Sequence, residues 1–316
     1  MKLYFVTDIH GSDICFKKFI NAAKYYGVNV LIMGGDITGK LLVPLVRKSD
    51  GGYRTHFNGQ DLLISSDEEK QAFIKNIKFN GFYPLEMDDT EYQKALNDTA
   101  YKDSLFEKVM LESVLGWMSL AEERLKDTKV QVFITSGNDD LWALDKVLKE
   151  SETEHVHFVE GEVASIGEGY EMISLGDANK TPWSTPREFT EEVLYQKLSS
   201  LAKRLQSPST AIFNVHVPPI GSGLDVCAEL DANLKPVVRG GEIMMKAAGS
   251  TAVKKVIEET QPLVGLHGHI HESAGIAKVG RTVCMNPGSE YSQGILKGAL
   301  VTIEKGKLKQ YVLTKG

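Results

Sequence analysis

The stretch LYFVTDIHG at residues 3–11 joins an apolar run to an aspartate and a histidine two positions apart. An apolar run without alternation is typical of a strand that is buried on both faces of a sheet. Alternate residues of a strand share one face, so Asp8 and His10 are expected to project to the same side where the strand ends. The stretch therefore predicts a buried strand that delivers two metal-seeking side chains to a sheet edge.

Four more groups of metal-seeking residues follow apolar runs in the same way. They are Asp36 after 30–33, Asn138 after 130–134, His216 after 211–213, and His269 with His271 after 263–266. Taken singly, Gly-Asp and Gly-Asn sequences suit turns or helix caps, and a lone histidine is usually a satisfied polar group. Two imidazoles on one strand face, however, are costly to bury without a ligand. Five such groups at five strand ends are improbable as unrelated turns, and we expect them to gather at the same edge of one sheet.

Helices are predicted between these strands, which makes the chain an α/β protein. The periodicity predicts one helix at about 13–26 and another at about 251–259. A third is predicted to begin with Thr185 as its cap, Pro186 in the first turn and Glu188 closing a capping box. We therefore expect helices to cover both faces of the sheet.

The last part of the chain is expected to form a long loop followed by antiparallel strands. The glycine-rich segment 217–249 follows His216 and should form a loop over the active edge. Alternating patterns predict strands around residues 276, 282–285, 299–303 and 308–313.

A long interval separates the apolar runs that end at residue 33 and begin at residue 130. It is too long for a bare loop within a compact domain. Capping-box patterns within it predict helices that begin at Ser66-x-x-Glu69 and Ser104-x-x-Glu107. The sequence thus predicts one domain over residues 1–316 with an α-helical insertion at about 41–128.

Composition limits the classes of partner. The net charge is −6, 42% of residues are hydrophobic and 25% are charged, and no basic run provides a footprint for a phosphate backbone. A stable nucleic-acid partner is therefore not expected. The three cysteines are widely separated and no apolar run approaches spanning length, so we expect a cytoplasmic protein that does not enter a membrane.

The ordered set of motifs resembles the calcineurin-like metallophosphoesterase superfamily, and the resemblance runs from residue 8 to residue 271. It implies a four-layer α/β/β/α sandwich with two mixed central sheets and a dinuclear metal centre at the top edge. It further implies a first metal held by Asp8, His10, Asp36 and His271. The second metal would be held by Asp36 as the bridging carboxylate together with Asn138, His216 and His269.

The implied chemistry is hydrolysis of phosphodiester or phosphomonoester bonds, by in-line attack of a hydroxide held between two divalent ions. A mixed set of imidazole, carboxylate and amide ligands favours manganese, iron, zinc or nickel over magnesium or calcium, with manganese or iron preferred. The expected partner is a small phosphorylated substrate. The insertion could be a lid or the surface of a homo-oligomer. The alternative is a binding module that keeps the fold without catalysis, similar to the retromer subunit built on this scaffold.

One position departs from the family pattern. In many members, the asparagine ligand is followed by a histidine that resembles a general acid, and here that position is Asp139. An aspartate with an ordinary pKa of about 3.9 is anionic at neutral pH and would repel a dianionic monoester. We therefore hypothesise that substrates are diesters, or esters whose leaving group departs unprotonated. A helix cap is the alternative role for Asp139.

Three further side chains are candidates for the surroundings of the centre. Trp183 could stack on a base or an aromatic leaving group, or could simply pack in the core. Arg239 in the loop after His216 could reach a phosphate, or could be solvated. His267 should share a face with His269 and could support the metal ligands, or could be merely a polar residue beside the site.

Overall fold

The computed structural model describes residues 1–316, in which strands and helices alternate as expected. The first part of the chain contains β1 (Lys2–Val6), α1 (Asp13–Tyr26) and β2 (Val30–Gly34). The insertion contains β3 (Leu42–Arg47), β4 (Tyr53–Phe57), β5 (Gln60–Ile64), α2 (Asp67–Phe79), β6 (Tyr83–Met87), α3 (Asp89–Asn97) and α4 (Thr99–Leu125).

The second half returns to the sandwich. Its first elements are β7 (Gln131–Thr135), α5 (Ala143–Glu150), β8 (Val156–Phe158), β9 (Val163–Ser165), β10 (Glu171–Leu175), β11 (Ala178–Asn179), β12 (Glu188–Phe189), α6 (Glu191–Ala202), a 3-10 helix (Pro208–Thr210) and β13 (Ile212–Val215). The remaining elements are β14 (Val226–Ala228), β15 (Val238–Arg239), β16 (Glu242–Ile243), β17 (Met245–Ala247), α7 (Thr251–Thr260), β18 (Val264–Leu266), β19 (Gly275–Val279), β20 (Thr282–Asn286), a 3-10 helix (Tyr291–Gln293), β21 (Lys297–Glu304) and β22 (Lys307–Lys315).

Two six-stranded mixed sheets form the centre of the molecule. The first has the order β22-β21-β1-β2-β7-β8 and the second has the order β19-β20-β18-β13-β10-β9. In the first sheet β1, β2, β7 and β8 run parallel, and in the second β10, β13, β18 and β20 run parallel. Parallel strands bring their carboxyl ends to one edge of each sheet. The metal-seeking groups follow β1, β2 and β7 in one sheet and β13 and β18 in the other.

The period of two along each strand divides its side chains between two cores. On β1, Leu3 and Phe5 join inner-face residues of the second sheet such as Ile212 and Leu266 in one buried cluster. Tyr4 on the same strand faces the opposite way and packs with residues of α1, α4 and α5. The outer face of the second sheet packs on α6 and α7. These cores establish the expected four-layer α/β/β/α sandwich, with two sheets inside and helices outside.

The insertion is mixed rather than purely helical. The helix predicted at Ser66 is confirmed, because the Ser66 side chain accepts a hydrogen bond from the Glu69 amide at 3.1 Å. Four strands that the pattern did not predict form a separate sheet in the order β5-β4-β3-β6. The second predicted start is wrong: α4 begins at Thr99, and Ser104 lies inside it with its hydroxyl bonded to the Tyr101 carbonyl.

Two other boundaries differ from the sequence prediction. The helix expected at Thr185 begins at Glu191 with Thr190 as its cap, while Thr185 and Glu188 close a local turn before it. The loop after His216 contains two short antiparallel pairs, β14 with β17 and β15 with β16. None of the helices is both long and apolar enough to cross a membrane.

The insertion is docked onto the sandwich through α4. Trp117 on this helix is 5% exposed, its ring stacks on Phe16 of α1 at 4.6 Å, and its indole N–H donates to Asp13 Oδ1 at 2.6 Å. Buried aromatic rings contribute both apolar area and a preferred stacking geometry. The contact fixes the end of the insertion against the helix that follows the first metal-seeking pair.

We expect Trp117→Ala to lower the free energy of unfolding by about 3–5 kcal/mol, because it leaves a cavity between α1 and α4. Chemical denaturation of the full chain measures this change. Leu115→Ala on the exposed side of the same helix is the matched control, with an expected effect within about 0.5 kcal/mol. Equal effects for the two substitutions would contradict the docking role of Trp117.

Candidate metal centre

The five metal-seeking groups meet at the junction of the two sheets. Asp8, His10, Asp36 and Asn138 follow strands of the first sheet, whereas His216, His269 and His271 follow strands of the second. The expectation of a single sheet edge is therefore corrected: the carboxyl edges of two packed sheets supply the ligands. The gathering of all seven side chains requires both sheets.

The backbone at the centre departs from strand geometry. β1 ends at Val6, and Asp8, His10, Asp36 and His269 all have positive φ angles of 54°, 39°, 50° and 68°. Alternation along a strand is therefore not the reason that Asp8 and His10 point the same way. Left-handed conformations of non-glycine residues are unfavourable and persist only where surrounding structure holds them. Amides of Asp8 and His10 donate to the carbonyls of Gly35 and Asp36 at 3.0 Å, which locks the two turns together.

Three side chains form the first half of the cluster around Asp8. His10 Nε2 lies 3.1 Å from His271 Nε2, and His271 Nε2 lies 3.2 Å from Asp8 Oδ1. Asp36 Oδ2 is 3.8 Å from His10 Nε2. Bonds of about 2.0–2.2 Å to one ion place neighbouring ligand atoms roughly 3.0–3.6 Å apart. The separations of 3.1 and 3.2 Å fit donors that share one divalent ion, and the 3.8 Å separation is slightly longer than this range.

The second half of the cluster contains His216, His269 and Asn138. His216 Nε2 is 3.4 Å from Asp36 Oδ2 and 3.8 Å from Asp8 Oδ1. His269 Nδ1 contacts Asn138 Oδ1 at 2.7 Å. The same oxygen of Asp36 is thus within 4 Å of imidazole nitrogens of both His10 and His216. A carboxylate that bridged two ions would need ligands of both ions near it in this way.

Electrostatics hold two of the histidines neutral. Burial lowers the pKa of His10 to about 3, and burial together with His216 lowers the pKa of His269 to about 4. A neutral imidazole has a free lone pair, which is the form that binds metals. Both rings are therefore ready to act as ligands at neutral pH.

The carboxylates of the cluster are anionic and attract positive charge. Burial opposes ionisation of Asp8 and Asp36, but the neighbouring histidines together outweigh it and hold the pKa of each carboxyl below its ordinary value. His216 acts on both carboxyls, with His271 on Asp8 and His10 on Asp36. Burial likewise lowers the pKa of His216, but Asp36 and Asp8 raise it to about 10. Two buried carboxylates that share one cationic neighbour create a site with strong affinity for positive charge.

A buried nitrogen in this cluster lacks a hydrogen-bond partner. His216 Nδ1 is paired with the Gly34 carbonyl at 2.8 Å, but the fully buried His216 Nε2 has no partner. Leaving such a group unsatisfied costs about 1–3 kcal/mol. A metal ion that displaced the proton of His216 Nε2 would offset this cost. The donor set, the separations and this unpaired atom fit divalent metal ions.

Hydrogen bonds behind Asp8 fix its carboxylate. The His269 amide donates to both carboxylate oxygens at 3.2 and 3.1 Å, and Thr7 Oγ1 donates to Oδ2 at 2.7 Å. Ser289, in the segment after β20, donates to the Asp8 carbonyl at 2.7 Å. Outer contacts of this kind orient metal ligands. His267 lies beneath the cluster, where its Nδ1 pairs with the Val215 carbonyl at 2.7 Å.

Two residues that the sequence reasoning missed hold the loop that carries Asn138. The Asp140 carboxylate accepts hydrogen bonds from the amides of Ile37, Thr38 and Gly137, and so ties the loop after β2 to the loop after β7. Arg187 is fully buried, and its guanidinium donates to Asp145 and to the Asp140 carbonyl. Both residues act through long-range contacts, for which the local sequence offers no signal.

Asp139 does not cap a helix. The next helix, α5, begins at Ala143 and has no side-chain cap. Instead, the Asp139 carboxylate forms an ion pair with Lys40, and the Asp139 amide donates to Asp36 Oδ1 at 2.9 Å. Burial and the neighbouring Asp36 raise the pKa of Asp139 to about 6, against the opposing effect of Lys40. Burial lowers the pKa of Lys40, but Asp139 outweighs it and raises that pKa, so Lys40 is a cation.

A cavity of about 770 Å³ is lined by the ligand-type residues Asp36, Asn138, His269 and His271. Its walls include Lys40, Asp139, Lys180 and Trp183. Trp183 is 61% exposed, so it lies on the cavity wall and not in the packed core. Arg239 lies on the exposed strand β15 and does not line the cavity. The structure thus brings Trp183 but not Arg239 to the candidate site.

Sequence comparisons match part of this chain to one curated protein. No protein-family model matches the chain. Over 123 residues the chain is 35% identical to the uncharacterized protein MJ1162 of Methanocaldococcus jannaschii, a match that covers 38% of this chain and 49% of that protein. The chain therefore spans about half the length of this curated relative.

Two solved structures share the fold over nearly the whole chain. A crystal structure with 16% identity has a TM-score of 0.60 and covers 99% of this chain and 98% of its own. The protein TT1561 of Thermus thermophilus has 13% identity and a TM-score of 0.56, and the alignment covers 100% of this chain and 97% of that one. At these identities the likeness concerns the fold alone. These likenesses therefore support the α/β sandwich architecture, whereas the cluster of ligand-type side chains is seen in the geometry of this chain itself.

We expect Arg187→Met to lower the free energy of unfolding by about 1–3 kcal/mol, because the Asp140 carbonyl and the Asp145 carboxylate lose a buried hydrogen-bond donor. It should also weaken Mn²⁺ binding roughly 10- to 100-fold, since the Arg187 guanidinium holds the loop that carries Asn138 through the Asp140 and Leu141 carbonyls. Denaturant titration and calorimetry with Mn²⁺ measure the two effects. The exposed Arg204→Met is the matched control. Unchanged stability and unchanged Mn²⁺ affinity in Arg187→Met would refute the positioning role.

Proposed function

We propose that this protein is a dinuclear-metal-dependent phosphoesterase that hydrolyses phosphodiester or phosphomonoester bonds. One observation supports this most strongly: a single buried oxygen of Asp36 is within 4 Å of imidazole nitrogens of both His10 and His216, with other ligand-type side chains grouped around them. A bridging carboxylate between two imidazole-rich halves is the arrangement that two-metal hydrolysis uses.

The proposed first ion is held by Asp8, His10, Asp36 and His271, and the proposed second ion by Asp36, Asn138, His216 and His269. Asp8 Oδ1 also lies near His216, so this carboxylate adds negative charge to both halves. Imidazole and carboxylate donors favour manganese or iron over magnesium. When bound, two such ions supply positive charge for phosphoryl oxygens and lower the pKa of water.

The residues of the chain position the ester and shape its surroundings. The hydrogen bonds on Asp8 and Asp36 hold the ligands in place, and the cavity admits a molecule of small-substrate size. We assign the exposed ring of Trp183 to contact with the leaving group of the ester. The Lys40 ammonium offsets the charge of Asp139, so a dianionic monoester meets less repulsion than an unpaired aspartate would cause. Both classes of ester therefore remain in the proposal.

The proposed setting is the cytoplasm, with a small phosphorylated ester as the partner. Cys15, Cys227 and Cys284 are all free thiols, which suits a reducing compartment. A homo-oligomer formed through the insertion remains a prediction from the sequence.

We expect the Mn²⁺-loaded protein to hydrolyse p-nitrophenyl phosphate, bis-p-nitrophenyl phosphate or both. Removal of metal by a chelator should abolish turnover, and added Mn²⁺ should restore it, because no side chain of the site replaces the charge of the ions. Release of p-nitrophenolate and metal analysis of the same sample measure this. No turnover of either ester by protein that contains two ions would instead favour the binding-module alternative.

We expect Asp36→Asn to reduce the metal content from two ions to one at most. Activity should fall more than the roughly 10- to 100-fold loss typical of residues behind the ligands, because the shared carboxylate itself is removed. Metal analysis and steady-state kinetics measure the two effects. Asp103→Asn, on the exposed surface of α4, is the matched control and should change neither. A variant at Asp36 that keeps two ions and full activity would exclude the bridging role.

A further inference from the structure

Lys40 is a cation inside the candidate active site, and neither motif nor spacing pointed to it. It lies four residues after Asp36 and lines the same cavity as His269 and His271. Its side chain is 51% exposed, whereas that of its partner Asp139 is 17% exposed. If the only role of Lys40 were to neutralise the partly buried Asp139, its side chain would be expected to be buried as well. The Lys40 ammonium instead remains accessible to a molecule in the cavity.

The backbone around Lys40 is tightly fixed. A side chain at Gly39 would begin 1.9 Å from the Gly81 carbonyl oxygen, so the two segments are in direct contact. The Gly39 amide donates to the Tyr83 hydroxyl at 2.7 Å, and the Thr38 amide donates to Asp140 at 2.9 Å. The base of the Lys40 side chain is therefore held in one place relative to the cluster.

The head of the Lys40 side chain is fixed by Asp139, which itself lies against the first half of the cluster. Ligand atoms of His10, Asp36 and Asp139 lie within 4.8 Å of one another. The Asp139 amide donates to Asp36 Oδ1 at 2.9 Å, and this hydrogen bond holds the Asp139 backbone beside Asp36. The Lys40 ammonium is thus placed at the edge of the region where a phosphoryl group would meet the ions.

We propose that Lys40, positioned by Asp139, contacts the phosphoryl group and allows the site to accept phosphomonoesters. This inference rests on the proposed phosphoesterase function. A monoester dianion has three charged non-bridging oxygens, of which two ions can neutralise two. A diester has only two such oxygens, and its additional ester oxygen is uncharged. A compact ammonium beside the ions supplies the third positive partner that only the monoester needs.

Kinetics of the Mn²⁺-loaded full chain test this inference. Lys40→Met should lower kcat/KM for p-nitrophenyl phosphate about 10- to 100-fold, the loss expected for one charge-assisted hydrogen bond. Its kcat/KM for bis-p-nitrophenyl phosphate should change far less, and Lys40→Arg should retain part of the monoester activity. Asp139→Asn should raise KM for the monoester more than it lowers kcat, because Lys40 keeps its charge but loses its anchor. Lys24→Met, on the exposed face of α1, is the matched control.

A double substitution separates substrate contact from simple charge balance. If Lys40 only neutralised Asp139, then Lys40→Met combined with Asp139→Asn would restore the monoester activity of the parent protein. Substrate contact instead predicts that the double variant stays as defective on the monoester as Lys40→Met. Restoration, or equal losses on the two esters in Lys40→Met, would overturn the proposal.

Binding of orthophosphate provides a readout that does not depend on turnover. Calorimetry with the Mn²⁺-loaded protein should show weaker orthophosphate binding in Lys40→Met than in the parent and in Lys24→Met. If the parent hydrolyses neither ester, the proposed function fails while this measurement still tests Lys40. Equal orthophosphate affinities in all three proteins would overturn the inference even where the parent is an active esterase.

Discussion

The burial of Asp8 and Asp36 at the junction of two sheets is the constraint on which the rest of the site depends. Both carboxylates are almost fully enclosed, at 0% and 2% exposure. Buried charges are strongly unfavourable unless they are paired, hydrogen-bonded or bound to metal. Backbone amides donate hydrogen bonds to both carboxylates, and histidines surround them. The His216 Nε2 atom beside them has no hydrogen-bond partner and is available to a metal ion. The chemistry proposed for the protein follows from the same requirement, because divalent cations are partners that suit such a cluster.

That constraint explains the unusual backbone of the centre. Four ligand-type residues take left-handed conformations, each of which is unfavourable by roughly 1–3 kcal/mol. The sandwich beneath them supplies the stability that retains these turns, and Asp140 and Arg187 tie the neighbouring loops together. Ligands held by rigid elements can keep the geometry that two ions need, with little rearrangement when the ions bind.

The sequence predicted those parts of the fold in which local pattern and final structure agree. The buried strands, α1, α7 and the seven ligand-type residues were predictable, because each ligand group follows an apolar run. The strand β3 was missed because LVPLVR contains a proline and belongs to a small sheet that is only partly buried. Ser104 was misassigned because a capping pattern inside a long helix is indistinguishable by sequence from one at its start. Arg187 and Lys40 depend on contacts with residues far along the chain, so no local pattern could indicate them.

The insertion packs directly against the turns of the candidate site, a contact that neither a lid nor an oligomer surface would need. A side chain at Gly81, in the turn between α2 and β6, would begin 2.0 Å from the His10 carbonyl oxygen. The same turn contacts Gly39, and Tyr83 at the start of β6 bonds the Gly39 amide. The insertion therefore packs against the two turns that contain His10 and Lys40. Because close-packed contacts transmit strain, movement of the insertion would shift the ligand-type residue His10 and the cavity cation Lys40 together. The chain segment between the first two ligand turns and Asn138 is thus part of the scaffold that sets the geometry of the centre.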